Sequence, residues 1–234
     1  MDGPRLGTEG RMSDLSPSNT DQAASGIAAA QPLDAQTRLL AAMAYGESSL
    51  QDNPDEMMAI ASVLVRQRDA RGYSDMATFT RNDSTFSFVV SDGNARYSAL
   101  MKAKDDKIAK TPGMQAAISA ARNALAGGPD KSNGAYFWDG ADIKTNYAHH
   151  FKVKQGIKIT DPSHNIYNIQ DSTHLVILYK TTKIKNKKTH QVTVKKEEVG
   201  RYDHIYDSTS AYGGTIFWKF SQDYLDVTHA KEYK

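Results

Sequence analysis

Two glutamates carry the strongest chemical signal in this sequence. Leu40, Met43, Glu47 and Leu50 are spaced +3, +4, +3, so one helical stripe holds three apolar residues and a carboxyl group. A carboxylate on a buried face is costly to ionise, and its pKa rises. A glutamic acid tuned in this way can protonate a glycosidic oxygen near neutral pH. The plainer reading is a helix that rolls or frays and leaves Glu47 partly exposed. Glu56 follows nine residues later. Two helices joined by so short a connection can bring both carboxyls to one cleft, and a pair about 5–9 Å apart is the usual glycosidase arrangement. Glu56 also stands at N3 of an Asn-x-x-Glu capping box begun by Asn53, a role that needs no catalysis. Asp52 and Asp55 are rival second carboxylates in the same loop.

The elements that must position these residues are read from caps and periodicity. Asp34 can cap a helix through Leu39, Leu40, Met43 and Glu47 to about Leu50, which Gln51-Asp52-Asn53 breaks. Asn53 as N-cap and Pro54 at N1 start the next helix, with Met57, Ile60, Ala61 and Leu64 inward and an end near Gly72. Phe86, Phe88 and Val90 alternate before the turn Ser91-Asp92-Gly93-Asn94, which predicts a short strand or loop. Helix is expected from Ala95 to about Lys110. Another starts at Thr111-Pro112, turns Met114, Ala117, Ile118, Ala121 and Leu125 inward, and stops at Gly127-Gly128-Pro129. Six aromatic residues precede residue 131 and fifteen follow it, so the character of the chain changes there. Strands are expected over His174 to Ile184, Gln191 to Lys195 and Gly214 to Phe220, with Asn186-Lys187-Lys188 as a hairpin turn. The expected architecture is α+β: a helical core over 32–150 and a β-rich part over 151–234 packed on it. Residues 1–31 are rich in Gly, Ser, Asp, Ala and Pro and hold no aromatic residue, which suits a flexible leader or linker.

Composition narrows the function classes. Among the 234 residues, 29 Lys and Arg against 27 acids leave a net charge of +2, so no dominant field points to nucleic acid. The absence of Cys excludes disulfides, thiol catalysis and Cys-ligated zinc. Six of the 27 acids are Glu, and between Asp34 and His150 they are Glu47 and Glu56 alone, which limits the Glu candidates to two. No apolar run approaches the ~18 residues of a transmembrane helix, and Met1-Asp2-Gly3-Pro4-Arg5 lacks the order of a secretory signal. Neither a membrane nor nucleic acid is an expected partner. The seven His include no His-Glu-x-x-His spacing, and neither a metal nor another cofactor is expected. No Gly-x-Ser-x-Gly elbow supports a serine triad.

Three blocks occur in order: Leu39-Leu40-Ala41-Ala42-Met43-Ala44-Tyr45-Gly46-Glu47, continuing into Ala59-Ile60-Ala61-Ser62-Val63-Leu64-Val65-Arg66-Gln67-Arg68; Phe86-Ser87-Phe88-Val89-Val90-Ser91-Asp92-Gly93; and Asn133-Gly134-Ala135-Tyr136-Phe137-Trp138. Together they resemble the SleB/CwlJ-type cell-wall hydrolases, over about residues 36–140. Gln67 stands where that family has Asn. Ser48-Ser49 stands where it has Ala-Arg, and is closer to the Glu-Ser of lytic transglycosylases. The resemblance implies a lysozyme-like helical core, Glu47 as the catalytic acid, and peptidoglycan as substrate. The chain is also similar to the C-terminal lysozyme domain of TseP-like type VI secretion effectors. That likeness implies a Glu47/Glu56 pair in an antibacterial enzyme delivered by a secretion apparatus to the periplasm or wall of a target bacterium, with an immunity protein as a further partner.

The expected reaction is cleavage of the β-1,4 bond between N-acetylmuramic acid and N-acetylglucosamine. Glu47 protonates the leaving oxygen, while Glu56, Asp52 or Asp55 stabilises the oxocarbenium-like centre or activates water. Ser48, Ser87, Asp92, Tyr136, Trp138 and Asp139 are candidates for the glycan groove, because aromatic faces pack on sugar rings and Ser or Asp side chains bond hydroxyls and acetamides. Phe86, Phe88 and Phe137 read as core. Seven Lys lie between Lys180 and Lys196. They suit either a solvated hairpin with protected edges or attraction to anionic wall polymer. A lytic transglycosylase and a non-catalytic peptidoglycan-binding module are the alternative functions.

Overall fold

The computed structural model describes residues 33–91 and 93–234, and of residues 85, 87, 88 and 89 it describes the backbone alone. The expected leader over 1–31 lies outside the described residues. Residues 33–234 form one compact unit, so the expected boundary at residue 150 falls inside it.

Helix α1 (Ala35–Glu47) starts where the Asp34 side chain accepts from the Thr37 amide, and α2 (Pro54–Ala70) starts where Asn53 accepts from the amides of Asp55 and Glu56. Such caps contribute about 1 kcal/mol each. Helix α1 ends three residues short of Leu50, which is 88% exposed, so the apolar stripe stops at Glu47. Helix α3 (Met76–Asn82) is followed by α4 (Ser84–Ser91), where a strand or loop is expected from alternation. A short apolar run fits either period, and helix turns Phe86 inward against Phe79 and Trp138. The single helix expected over 95–110 is two, α5 (Ala95–Lys102) and α6 (Asp105–Ala109). Between them Arg38 donates to the carbonyls of Leu100 and Ala103, and the Leu100 carbonyl also accepts the Ala103 amide that closes α5. Helix α7 (Pro112–Leu125) packs on α1 and α2, and these helices with α5 enclose a core built on Leu40, Met43, Met57, Ile60, Leu64, Phe79 and Leu100.

The C-terminal half carries a mixed sheet. Its strands are β1 (Phe137–Asp139), β2 (Ile157–Lys158), β5 (Tyr206–Tyr212) and β6 (Thr215–Phe220), in the order β1-β6-β5-β2. The β5–β2 pair is parallel and the other two are antiparallel. Alternation divides the side chains between two cores. Phe217 and Trp138 face the helices, while Ile216, Trp218, Phe220 and Phe137 face a second cluster with Ile143, Val153, Ile157 and Tyr206. Short helices α8 (Asp142–Thr145) and α9 (Phe151–Gln155) lead into β2. The other two strands, β3 (Val176–Lys185) and β4 (Val192–Tyr202), form a separate antiparallel ribbon. It touches the body at its base, where Tyr202 meets Tyr224 of α10 (Gln222–Thr228). The β-rich part is therefore not packed on the helical core as a whole, since most of this ribbon lies in solvent. The fold is mixed α+β.

Candidate functional site

The turn that joins α1 to α2 is clamped from α5. Asn94 caps α5 by accepting from the Tyr97 amide at 2.9 Å, and donates to the Gly46 carbonyl at 3.0 Å. Two residues on, Arg96 donates to the carbonyls of Ser48 and Ser49 and to Asp52 Oδ1 at 2.6 Å. Its guanidinium lies 4.0 Å from the centroid of the Tyr45 ring. The ion pair holds Asp52 in a left-handed conformation, φ 53°, that costs a non-glycine residue about 1 kcal/mol or more. Asp52, a rival second carboxylate, is thus engaged by Arg96. Asp55 is half-exposed and pairs with Lys131 at 3.2 Å.

Glu47 closes α1 and is half-buried. Glu56 is 0% exposed, and its carboxylate accepts four hydrogen bonds. The Ser49 amide and hydroxyl donate at 3.1 and 2.7 Å, the Gly214 amide at 3.1 Å and the Thr215 hydroxyl at 2.7 Å. Two of the partners are backbone amides and two are hydroxyls, so the buried carboxyl group has its hydrogen-bonding needs met. The capping box is therefore half made: Asn53 caps the helix, and the Glu56 carboxylate binds elsewhere. Ser49, two residues after Glu47, gives both of its donors to Glu56, so one turn holds both glutamates in place.

Half of the Glu56 cradle comes from the far end of the chain, from the turn between β5 and β6. Gly213 there has φ 56°, and a Cβ on it would stand 2.2 Å from Glu56 Oε2, so the backbone approach requires glycine. Tyr167 donates its hydroxyl to the Gly214 carbonyl. Burial first, then the nearby Glu56 and Asp142 carboxylates, hold that phenol above its ordinary pKa. Arg96, Asn94, Ser49, Tyr167, Gly213 and Thr215 are the site residues that sequence reasoning misses. The sequence signal for Asn94 was its position before a helical run. Ser49 acts on Glu56 across the short break, and the others act across long sequence separations that no local pattern encodes.

The expected groove residues do not assemble around the two glutamates. Ser48 is buried, with its hydroxyl donating to the Tyr45 carbonyl at 3.1 Å and accepting from Arg96. The Ser87 side chain and Asp92 lie outside the described residues. Trp138 is half-buried on the helix-facing side of β1, 6.0 Å from the Phe86 ring. Asp139, its neighbour, points to the opposite side, 9% exposed, where Lys152 donates to it at 2.8 Å. Tyr136 lies under Arg66, 5.6 Å from the guanidinium, and lines a cavity of about 340 Å³ with Arg66, Lys219 and Glu232. Arg66 is ten residues along α2 from Glu56, roughly 15 Å at the helical rise. Gln67, where the resembled family has Asn, donates to the Tyr136 carbonyl at 2.7 Å and accepts from Arg71, so it ties α2 to the segment leading into β1.

Among the described residues, Asp139, Asp142 and His150 form the group whose ligand atoms come within 4.8 Å of one another. Lys152 stands against Asp139 where a cation would sit, and hydrogen bonding to Asp139 raises the His150 pKa against the effect of burial. The Lys152 ammonium already occupies Asp139, and His150 Nε2 stands 3.4 Å from both Asp139 and Asp142, so the cluster is knit by its own side chains.

Comparison with family models, with curated proteins and with solved structures found no match.

Proposed function

We propose that the protein cleaves peptidoglycan glycan strands at the β-1,4 bond between N-acetylmuramic acid and N-acetylglucosamine, as an N-acetylmuramidase with Glu47 as general acid. The observation that carries the reading is the Arg96-clamped turn itself: it begins at Glu47, and two residues later Ser49 gives its amide and hydroxyl to the enclosed Glu56 carboxylate. Glu47 ends α1 and is half-buried, at the start of the turn that Arg96 clamps. Glu56 supplies a fixed negative charge. Its oxygens are occupied by four donors, which suits stabilising a developing cation rather than attacking it or taking a proton from water. The three sequence blocks that resemble cell-wall hydrolases support the substrate class. Delivery by a secretion apparatus to the wall of a target bacterium, and an immunity protein that blocks the site, belong to the same reading.

One observation favours a second reading. Glu56 is enclosed, Asp52 is paired to Arg96 and Asp55 to Lys131, so each of the three candidate second carboxylates is engaged within the fold, and a lytic transglycosylase needs only one acid. Digestion of purified sacculi followed by mass spectrometry separates the two. Hydrolysis leaves reducing-end products one water heavier than the anhydro-sugars of a transglycosylase. Intact sacculi after incubation with the folded protein would overturn both, and binding without cleavage would leave a peptidoglycan-binding module.

A further inference from the structure

The β3–β4 ribbon has no role in the site, and its construction asks for a partner. Ten and eleven residues at about 3.4 Å each give an arm of roughly 30 Å. From Tyr179 to Glu198 every residue is exposed on both faces, and a two-stranded ribbon with neither face packed is only marginally stable in water. Its base alone is anchored: Gly200 lets the strand approach Val227 of α10, where a Cβ would stand 2.5 Å from that side chain.

The charge of the arm has one sign. Residues 176–202 hold seven Lys and Arg201 against Glu197 and Glu198, a net +6 in a chain whose total is +2, which leaves −4 over the rest. Register places Lys183, Lys185 and Lys196 on one face of the ribbon and Lys180 and Lys195 on the other, with Lys187 and Lys188 in the tip. Among the described residues, Lys183, Lys185, Lys187, Lys188 and Lys196 form no ion pair, and Lys195 reaches Glu197 only at 4.0 Å. Protection of strand edges does not account for this pattern. Lys187 and Lys188 lie in the turn rather than on an edge, where edge protection does not call for them. Tyr179, Ile184, Val192 and Val194 stand exposed between the lysines, which adds apolar contact to the charge.

We infer that this arm is a docking surface for the carboxylate-bearing peptides of peptidoglycan, holding the polymer while the separate Glu47 site acts on the glycan. The inference rests on the peptidoglycan reading for its occupant and on charge complementarity for its chemistry. The carboxylates are repeated along a mesh, and exposed ammonium groups on both faces and at the tip of a protruding ribbon can meet several at once.

Pelleting of purified sacculi with the full chain tests it, in a Glu47→Gln background so that nothing is consumed. Binding weakens as salt rises from about 50 to 300 mM, because exposed charge pairs are screened. Replacing Lys183, Lys185, Lys187 and Lys188 together by Gln weakens low-salt binding at least tenfold and flattens the salt profile. The four Arg replacements restore both, which separates charge from misfolding. Sacculi whose carboxylates have been amidated bind the Lys-bearing protein no better than the Gln variant. Unchanged binding or an unchanged salt profile in the Gln variant overturns the inference. So does tighter binding to a DNA duplex, or to vesicles containing an anionic phospholipid, than to sacculi. Cleavage by the protein with Glu47 intact is scored separately. Salt-dependent binding through the arm without cleavage removes the muramidase reading and leaves the docking surface. Cleavage with arm-independent binding does the reverse.

Discussion

The cradle of Glu56 and the ribbon of β3 and β4 both concentrate charge, and they treat it in opposite ways. Around Glu56 a single carboxyl group is fully enclosed: Oε1 meets the Ser49 amide together with the Gly214 amide and Thr215 hydroxyl from a distant part of the chain, and Oε2 meets the Ser49 hydroxyl. Along the ribbon a net +6 faces solvent with few partners. Buried charge is tolerated only when its hydrogen bonds are complete, so one lost donor is expensive there. Exposed charge costs the fold little and acts over a Debye length, so its effects appear on a partner rather than on stability. A change at the cradle should therefore be read in the folded state, and a change on the arm in what the protein holds.

Substitutions can break or sharpen that contrast. The largest effect is expected from Glu47→Gln, which keeps the shape of α1 and removes the acid. Release of fragments from sacculi should fall by about 10²–10⁴-fold, with the melting temperature within about 2 °C of the parent. Glu56→Ala leaves the Ser49 and Gly214 amides and the Ser49 and Thr215 hydroxyls without their acceptor. About 3 kcal/mol of stability should be lost, read as a fall of roughly 6–12 °C in melting temperature. Gly213→Ala adds a left-handed alanine and a methyl group against Glu56 Oε2, and should cost about 2 kcal/mol. A Gly213→Ala protein as stable as the parent would mean that the hairpin does not press on Glu56.

A fourth effect lies in pH. The buried His204 imidazole stands between Asp207 and Asp203, and these hydrogen bonds raise its pKa above the ordinary 6.5 in spite of burial. A raised folded-state pKa adds stability that is fully present below about 6.5 and lost as pH rises through the folded value. Melting temperatures should decline across that window, and His204→Gln should reduce the slope. The smallest effect belongs to the arm. The four Lys→Gln changes should move the melting temperature by less than about 1 °C, whatever they do to binding.

The same contrast explains what the sequence discloses. Caps and periodicity mark the starts of α1, α2 and α7, because Asp34, Asn53-Pro54 and Thr111-Pro112 act within four residues of themselves. The stripe through Leu40 and Met43 leads to Glu47, and the short break leads to Glu56. The ribbon is equally visible, because β-branched residues around a turn declare themselves locally. Strand β5 is hidden. No strand is expected over Ser208, Thr209 and Ser210, yet they are buried in the middle of the sheet, with Thr209 donating to the Ser132 carbonyl and Ser208 accepting from the Thr160 amide. The broken helix at Ala103 depends on Arg38, more than sixty residues earlier. The cradle is hidden for the same reason. Nothing near Glu56 announces Gly214 and Thr215, and nothing near Glu47 announces Arg96.

The bond from Thr215 to Glu56 closes a loop of 159 residues. Contacts of that separation form late, because the entropy of closing the loop is lost before the contact returns anything. A chain emerging from the ribosome presents Glu47 and Glu56 long before the hairpin that completes the cradle exists. Until β6 docks, Glu56 is a charge that the helical core cannot bury, so the turn carrying Glu47 has one of its two clamps missing. Assembly of the cradle then waits for the hairpin of β5 and β6, which is synthesised long after the turn it completes.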